Sequence, residues 1–259
     1  MISLAVRSYL NKKKIFLFLS ISLFFFSCKQ KEAKSFESIQ KTVEIKILGT
    51  IQDGGMPQLG CVKSCCKDYF EKGFSKKRVV SLGVLDSKEN KNYLIEASPD
   101  ISIQLNELLK NKSSKLDGIF ITHAHIGHYS GLINLGKEVA NTSKIPLYLM
   151  PKMTQFISNN GPWDQLVKLE NIELRELFNE KEEKLTENLT IIPLKVPHRD
   201  EYSETVGYKI IGPKKKALFI PDIDKWSKWE KSIESLISQV DYAFLDGTFY
   251  DGNEVNNRD

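Results

Sequence analysis

DGIFITHAHIGHYSGL, residues 117–132, is the stretch that decides the fold. Its apolar part, Gly118–Thr122, is rich in β-branched and aromatic residues, which is typical of a buried strand. Three of the four histidines of the chain follow it, His123, His125 and His128. His123 and His125 are two residues apart, so at the end of a strand their side chains point the same way. We predict that the next residues, SGLINLGKEVA, form a helix and that His128 lies in the loop before it.

The density of histidines here indicates a metal site. A single loop histidine is most often solvated, but three so close together, in a chain with only one more, favour a bound metal. Neutral imidazole is the commonest protein ligand of zinc and also binds iron. The remaining histidine, His198, comes shortly after a predicted strand at Leu189–Leu194. We also predict that the segment Leu218–Asp222 is the end of a strand, with Asp222 as its last residue.

The other elements suggest an α/β (α+β) fold. Strands come first in runs and then alternate with helices, a pattern that favours two packed sheets flanked by helices. The predicted helices are Ile101–Leu109, Pro151–Asn159 and Trp226–Ser238, and the remaining predicted strands are Val43–Gly49, Arg78–Leu85, Asn92–Glu96, Ile145–Met150, Ile172–Leu177, Val206–Ile211, Ala217–Ile220 and Tyr242–Leu245.

The start of the chain resembles a lipoprotein-type signal peptide, residues 1–27. A basic region with Arg7 and three lysines precedes the apolar run Ile15–Phe26, which is short for a membrane span. Cys28 stands where a bacterial lipobox has its lipidated residue. We therefore expect export and lipid anchoring at Cys28 to a bacterial membrane, facing the periplasm or the cell surface; an uncleaved anchor is the alternative. A polar tether, residues 28–42, would then lead to a domain at residues 43–259.

The net positive charge of the chain lies in this leader. The formal net charge is +4, and residues 1–27 contain four basic side chains and no acidic ones, so the remainder has no net charge. A neutral domain gives no reason to expect a nucleic-acid partner. We expect a small-molecule substrate instead.

Cys61, Cys65 and Cys66 form a second cluster. Such a cluster suggests a small structural zinc site, although adjacent cysteines rarely both bind one tetrahedral ion. In an exported protein a disulfide with one thiol left over is the alternative. Free thiols are the third possibility.

The block from His123 to His128 resembles the His-x-His-x-Asp-His signature of the metallo-β-lactamase superfamily. That resemblance implies a four-layer αββα sandwich, with His123, His125 and His198 as ligands of one ion. It further implies that Asp222 bridges two ions, with Asp224 as the fallback, and that His128 belongs to the second ion. The segments Leu48–Gln58, Glu96–Asp100 and Phe219–Asp222 resemble the branch of coenzyme PQQ synthesis protein B (PqqB), and the likeness spans residues 43–259.

Two departures from the family pattern affect the expected metal content. Gly127 stands where the signature has its aspartate, and no histidine follows His198. The family pattern has a further segment with that histidine, so whether the sandwich lacks its C-terminal segment is left open. We expect one tightly bound ion, zinc or alternatively iron, and a second ion that is weak or missing.

These residues favour a metal-dependent hydrolase. A metal-bound hydroxide would attack an ester, phosphodiester or related bond, with Asp222 holding the hydroxide and His128 acting as electrophile or proton carrier. Two alternatives stay open: an iron-dependent oxidative enzyme, and a catalytically inactive scaffold that acts as a binding module.

Overall fold

The structure, a computed structural model, describes residues 42–110 and 114–248. Its strands are β1 (Val43–Gly49), β2 (Ser81–Asp86), β3 (Lys91–Ile95), β4 (Gly118–Phe120), β5 (Ile145–Leu149), β6 (Ile172–Glu176), β7 (Glu183–Lys184), β8 (Thr190–Lys195), β9 (Val206–Ile211), β10 (Lys216–Ile220) and β11 (Tyr242–Leu245). Its α-helices are α1 (Ser64–Glu71), α2 (Ile101–Leu108), α3 (Ile126–Tyr129), α4 (Pro151–Asn159), α5 (Trp163–Lys168) and α6 (Ile233–Ile237). Two 3-10 helices cover Ser130–Leu135 and Trp226–Lys228.

Two mixed sheets contain these strands. The first has the order β1-β2-β3-β4-β5-β6, antiparallel up to β3 and parallel from β3 onward. The second has the order β11-β10-β9-β8-β7 and is antiparallel except for the parallel pair β10–β11. The pattern of the sequence, with strands first in runs and then alternating with helices, therefore indicated the two sheets correctly.

Alternating side chains divide the apolar core into three layers, because successive residues of a strand face opposite sides of the sheet. In β4, Ile119 packs with the helices outside the first sheet, whereas Phe120 lies between the sheets. In β10, Phe219 lies between the sheets, whereas Leu218 packs on the outer face with Trp226. Helices thus cover both outer faces, which confirms the predicted αββα sandwich.

The strand directions bring five loops to the same edge of the sandwich. β1, β3 and β4 run in one direction, because β2 is antiparallel to both β1 and β3 and β4 is parallel to β3. β8 and β10 also share a direction, since both are antiparallel to β9. The two sheets are joined at this edge by the backbone hydrogen bond from Val206 N to Thr122 O, 3.1 Å. The loops after these five strands contain the candidate site residues.

The predicted helix after residue 129 is wrong in its bounds. His128 lies in the one-turn helix α3 rather than in a loop, and the following residues form a 3-10 helix that ends at Leu135. The cause is tertiary: Gly131 N donates to Ala97 O at 2.8 Å, and a Cβ at Gly131 would lie 2.7 Å from that oxygen. This close approach of two backbones fixes the start of the segment, and the extended backbone of Gly136 ends it.

The predicted helix Trp226–Ser238 is also wrong. A 3-10 turn at its start is followed by an extended residue, Trp229, whose indole donates to Lys195 O at 2.8 Å. The α-helix begins only after Ser232, whose side chain accepts a hydrogen bond from Ser235 N, as an N-cap does. The sequence analysis also missed α1, α5 and the two-residue strand β7.

The leader and Cys28 lie outside the described residues, so the signal peptide, the lipid anchor and the tether stay predictions. None of the helices in the described part of the chain is both long and apolar enough to cross a bilayer.

A buried carboxylate links the two sheets at the end away from the site. Asp86, at the end of β2, accepts hydrogen bonds from the side chains of Thr186 (2.6 Å) and Asn188 (3.1 Å) in the turn between β7 and β8. It also accepts from the backbone N–H of Lys88 at 3.0 Å. Burial by itself would raise the pKa of Asp86, but these donors outweigh it and hold the pKa below its usual range.

We predict that Asp86→Asn lowers the free energy of unfolding by about 1–3 kcal/mol at pH 7, because a buried donor loses its acceptor. Since the pKa of Asp86 is depressed in the folded state, this stabilisation is present above the unfolded pKa of about 3.9 and is lost as the pH falls through the folded pKa. Urea unfolding of both proteins at pH 7 and at pH values under about 4 should therefore show a shrinking difference. A pH-independent difference would contradict the assignment.

Candidate metal centre

Three histidines and one carboxylate converge at the common edge. His123 and His125 follow β4, His198 follows β8 and Asp222 follows β10. His125 Nδ1 lies 2.9 Å from His123 Nε2 and 3.2 Å from His198 Nε2, and Asp222 Oδ2 lies 3.4 Å from His123 Nε2. One donor atom from each residue lies within 4.8 Å of the others, so the group could hold one ion. We call it the first group.

The ring nitrogens that face away from this space each meet an oxygen. His123 Nδ1 lies 2.9 Å from Thr122 Oγ1, His125 Nε2 lies 3.1 Å from Glu201 Oε2, and His198 Nδ1 lies 3.1 Å from Asp224 Oδ1. Metal-binding histidines commonly donate their second N–H to an oxygen, which fixes the ring and leaves the other nitrogen free to bind. Asp224, the fallback residue, is therefore a partner of His198. Asp222 is the carboxylate that faces the shared space.

A second group lies beside the first and shares Asp222. His128 Nε2 is 2.9 Å from Asp53 Oδ1 and 3.4 Å from Asp222 Oδ2. Asp53 belongs to the loop after β1, and one donor atom from each of these three residues lies within 4.8 Å of the others. The other ring nitrogen, His128 Nδ1, lies 3.3 Å from Glu96 Oε1.

The buried polar atoms around His128 have charged neighbours but no regular hydrogen bonds. His128 and Glu96 are both fully buried. Neither ring nitrogen of His128 nor Oε1 of Glu96 makes a hydrogen bond of acceptable geometry with any described residue. An unsatisfied buried polar atom costs about 1–3 kcal/mol, more for a charged one, so such atoms indicate a missing partner. A divalent cation matches the donor set of one imidazole and two carboxylates.

Charge and burial shift the pKa values of these groups strongly. Burial, helped by the charge of His128, lowers the pKa of His123 to about 3. Burial opposes ionisation of Asp222 and Asp53, but the neighbouring histidines outweigh it and lower the pKa of both carboxyl groups. Burial would lower the pKa of His128, yet Glu96 and the two aspartates raise it well above its usual value. The surrounding carboxylates thus favour a positive charge at the second group.

Glu96 carries backbone strain beside the site. It follows β3 with a φ of 74°, in the left-handed region that a residue with a side chain rarely adopts. Its Oε2 lies 3.4 Å from Thr122 N, and its backbone N–H donates to Phe120 O at 2.9 Å. Such a conformation costs of order 1–3 kcal/mol and persists when the surroundings impose it. Here it directs a carboxylate towards His128.

The loop after β1 and α1 border a cavity of about 870 Å³ that reaches Asp222. Cys61, Cys65 and Cys66 also line this cavity as free thiols, and the sulfur atoms of the last two lie 3.8 Å apart. Within the described residues the structure therefore has the thiols unbonded rather than the alternative disulfide. One donor sulfur from each of the three lies within 4.8 Å of the others, so the structural zinc site stays a prediction.

Sequence reasoning found five of the residues at this edge and missed others. The structure brings together His123, His125, His198, Asp222 and His128, all selected from the sequence. It adds two carboxylates that were quoted only as parts of motifs, Asp53 and Glu96, and Glu201, which follows His198 by three positions. The signal for Asp53 was the Asp-Gly-Gly turn in the loop that follows the predicted strand Val43–Gly49.

Comparison with known proteins gives one family match. The model of a family described as beta-lactamase superfamily domain matches residues 91–257. No curated protein sequence matches the chain closely enough to count as a relative.

The solved structures that are similar in fold include a PqqB and a diphosphatase. Zn²⁺-bound PqqB from Methylobacterium extorquens has a TM-score of 0.68 and 20% sequence identity, with 82% of this chain and 76% of that chain covered. A diphosphatase from the PhnP family has a TM-score of 0.52 and 22% identity, with 71% and 68% covered. At such low identities the likeness concerns the fold alone.

The contact between Gly127 and Asp53 generates a prediction. A Cβ at position 127 would lie 2.7 Å from Asp53 Cα and closer still to Asp53 Oδ1. We expect Gly127→Ala to lower the free energy of unfolding by about 1–3 kcal/mol, as overpacking does, and to cost less in an Asp53→Gly background.

Urea unfolding of the single and double variants measures this coupling. Gly247→Ala is the control, since a Cβ there meets no atom of the described residues within 4 Å and should change stability by less than about 0.5 kcal/mol. An equal cost of Gly127→Ala with and without the Asp53 side chain would refute the part of that side chain in the contact.

Proposed function

Because the chain belongs to the metallo-β-lactamase superfamily, we propose that it is a metal-dependent hydrolase acting on an ester, phosphodiester or related bond of a small molecule. The family model covers more than half of the chain, including every histidine. The PhnP-family structure that shares the fold is a diphosphatase, which supports a hydrolytic reaction without identifying the substrate.

The arrangement of the histidine rings is the observation that carries this proposal. Three imidazoles direct one nitrogen each into a common space and hold the other nitrogen against an oxygen. A buried histidine that served only for packing would not need to face other histidines at 2.9–3.2 Å between nitrogens. Three histidines are a usual protein set of a catalytic zinc site, and because such sites can expand to five ligands, Asp222 and a water can both approach the ion.

The first group fits a divalent ion in charge as well as in geometry. The pKa of His123 is lowered to about 3 by burial, so its imidazole is neutral near pH 7, as metal binding requires. The lowered pKa of Asp222 keeps its carboxylate ionised. An ion held there would supply Lewis-acid chemistry, lowering the pKa of water and polarising the bond to be cleaved.

The residues of the chain fix the positions of the reacting groups. Asp222 lies between the two histidine groups, 3.4 Å from His123 Nε2 and from His128 Nε2, so its carboxylate can accept a hydrogen bond at the reacting centre. The loops that carry His198 and Asp222 are tied together by the hydrogen bond from Asp224 N to Pro197 O, 2.9 Å. This tie keeps ligands from two strands at a fixed distance.

The cavity beside Asp222 is the place for the rest of a substrate. Its walls include Met56, Phe219 and Phe244, so a substrate with an apolar part would bury that part against them. The reactive bond would then lie at the edge of the cavity that Asp222 lines.

We predict that His125→Ala abolishes binding of the ion in the first group, since a direct ligand is lost. Any hydrolytic rate should fall at least about 100-fold. The metal content of the purified full-length chain, with hydrolysis of phosphodiester and carboxylic ester substrates, measures both effects.

Glu201→Gln is the matched control. It changes the partner of His125 Nε2 but leaves Nδ1 directed into the group, so the ion should stay with an affinity reduced by about 10- to 100-fold. A His125→Ala protein with unchanged metal content and rate would refute the proposal.

A further inference from the structure

We infer that Asp53, His128 and Asp222 form a second divalent-cation site, in which Asp53 supplies the carboxylate that position 127 lacks. The family signature has an aspartate where this chain has Gly127, and on that ground the sequence alone predicts a weak or missing second ion. The structure shows another carboxylate in the same place, contributed by the loop after β1. This inference rests on the metal centre of the proposed function and deepens it.

The donor atoms of the three residues already face one point. Asp53 Oδ1 is 2.9 Å and Asp222 Oδ2 is 3.4 Å from the same atom, His128 Nε2. One donor atom from each residue lies within 4.8 Å of the others. Two carboxylate oxygens and one imidazole nitrogen give three protein ligands, the number that holds the ion in many catalytic sites.

The burial of His128 points independently to a ligand. Its side chain is fully buried, and its Nε2 has no hydrogen bond of acceptable geometry with the residues that the structure describes. The atom nevertheless faces two carboxylates. A cation between the three groups would satisfy the nitrogen and both carboxylates together. It would also offset the negative charges of Asp53 and Asp222, whose side chains are 28% and 21% exposed.

Asp53 occupies the space that a side chain at position 127 would need. A Cβ on Gly127 would lie 2.7 Å from both Cα and Cγ of Asp53. Asp53 can therefore approach His128 only because residue 127 is a glycine. The carboxylate that the family signature has at position 127 is supplied in this chain from position 53. The loop is held in place by the hydrogen bonds from Ile51 N to Arg78 O and from Val80 N to Ile51 O, at 3.0 and 2.8 Å.

The two groups differ in chemistry and should select different ions. The first group offers three imidazole nitrogens and one carboxylate, a set that suits zinc or iron. The second offers one nitrogen and two carboxylates, a more oxygen-rich set that also suits manganese. Because Asp222 belongs to both groups, ions bound at the two positions would be neighbours.

The test compares metal binding of the full-length chain and its Asp53→Asn variant, each freed of metal with a chelator and titrated with Zn²⁺ and with Mn²⁺. The substitution keeps the shape of the side chain and removes its charge. We expect the variant to bind one equivalent fewer than the wild type, with the affinity for that equivalent reduced at least about 100-fold. An ion bound at Cys61, Cys65 and Cys66 would be present in both proteins, so it would not change the difference in bound equivalents between them.

Asp164→Asn is the control, since the Asp164 carboxylate pairs with the exposed Lys168 at 2.6 Å on α5 and belongs to neither donor group. It should bind as many equivalents as the wild type. Thermal unfolding of the chelated proteins shows whether each variant is folded. If Asp53 and His128 form only a structural ion pair, Asp53→Asn will lower the melting temperature of the chelated protein but leave the number of bound ions unchanged, which overturns the inference.

Moving the carboxylate provides a second test. The double variant Asp53→Gly, Gly127→Asp places the carboxylate where the family signature has it, and the glycines at 54 and 55 let the loop adjust. We expect it to bind more ions than Asp53→Asn. A folded double variant that binds no more than Asp53→Asn would contradict the exchange of one carboxylate between the two positions.

The outcomes separate this inference from the proposed function. A wild type that keeps its first ion and binds no more equivalents than Asp53→Asn overturns the second site but leaves the hydrolase proposal standing. A wild type that binds both ions and hydrolyses nothing overturns the hydrolase proposal and leaves the second site standing.

Discussion

The carboxylate of Asp222 is the group on which the site depends. Its Oδ2 lies within 3.4–3.7 Å of a nitrogen from His123, His128 and His198, so it belongs to both donor groups. Burying so many polar groups in one place is unfavourable unless they are paired or bind a cation. The sandwich meets this constraint by ending five strands at one edge. There the loops approach each other, while the strands that carry them stay anchored in the apolar layers.

The two-sheet fold and part of the site follow from local patterns. The alternation in Val43–Gly49 and the proline that starts Pro151–Asn159 each predicted an element with its observed bounds. The spacing of His123 and His125 placed both at the end of β4. Local patterns failed where a distant contact decides the structure. Gly131 approaches the backbone of Ala97, and Trp229 leaves the predicted helix to donate to Lys195 O.

The role of Asp53 could not be read from the sequence for the same reason. It is 75 positions from His128 along the chain, and its place beside that ring depends on the pairing of β1 with β2 and on the missing side chain at Gly127. The sequence shows a glycine where the family has a ligand and so suggests a lost ion. The structure shows why the glycine is needed, since any larger residue would exclude Asp53. A departure from a family signature can thus mark a moved ligand instead of a lost one.

Anomalous X-ray diffraction from crystals grown with Mn²⁺ or Zn²⁺ tests the account most directly, because it locates ions without reference to activity. The account predicts one anomalous peak surrounded by His123, His125, His198 and Asp222. It predicts a second peak between Asp53, His128 and Asp222, with the Asp222 carboxylate contacting both ions. A single peak in the first group would contradict the second site, and no peak at either position in a folded crystal would contradict the metal centre itself.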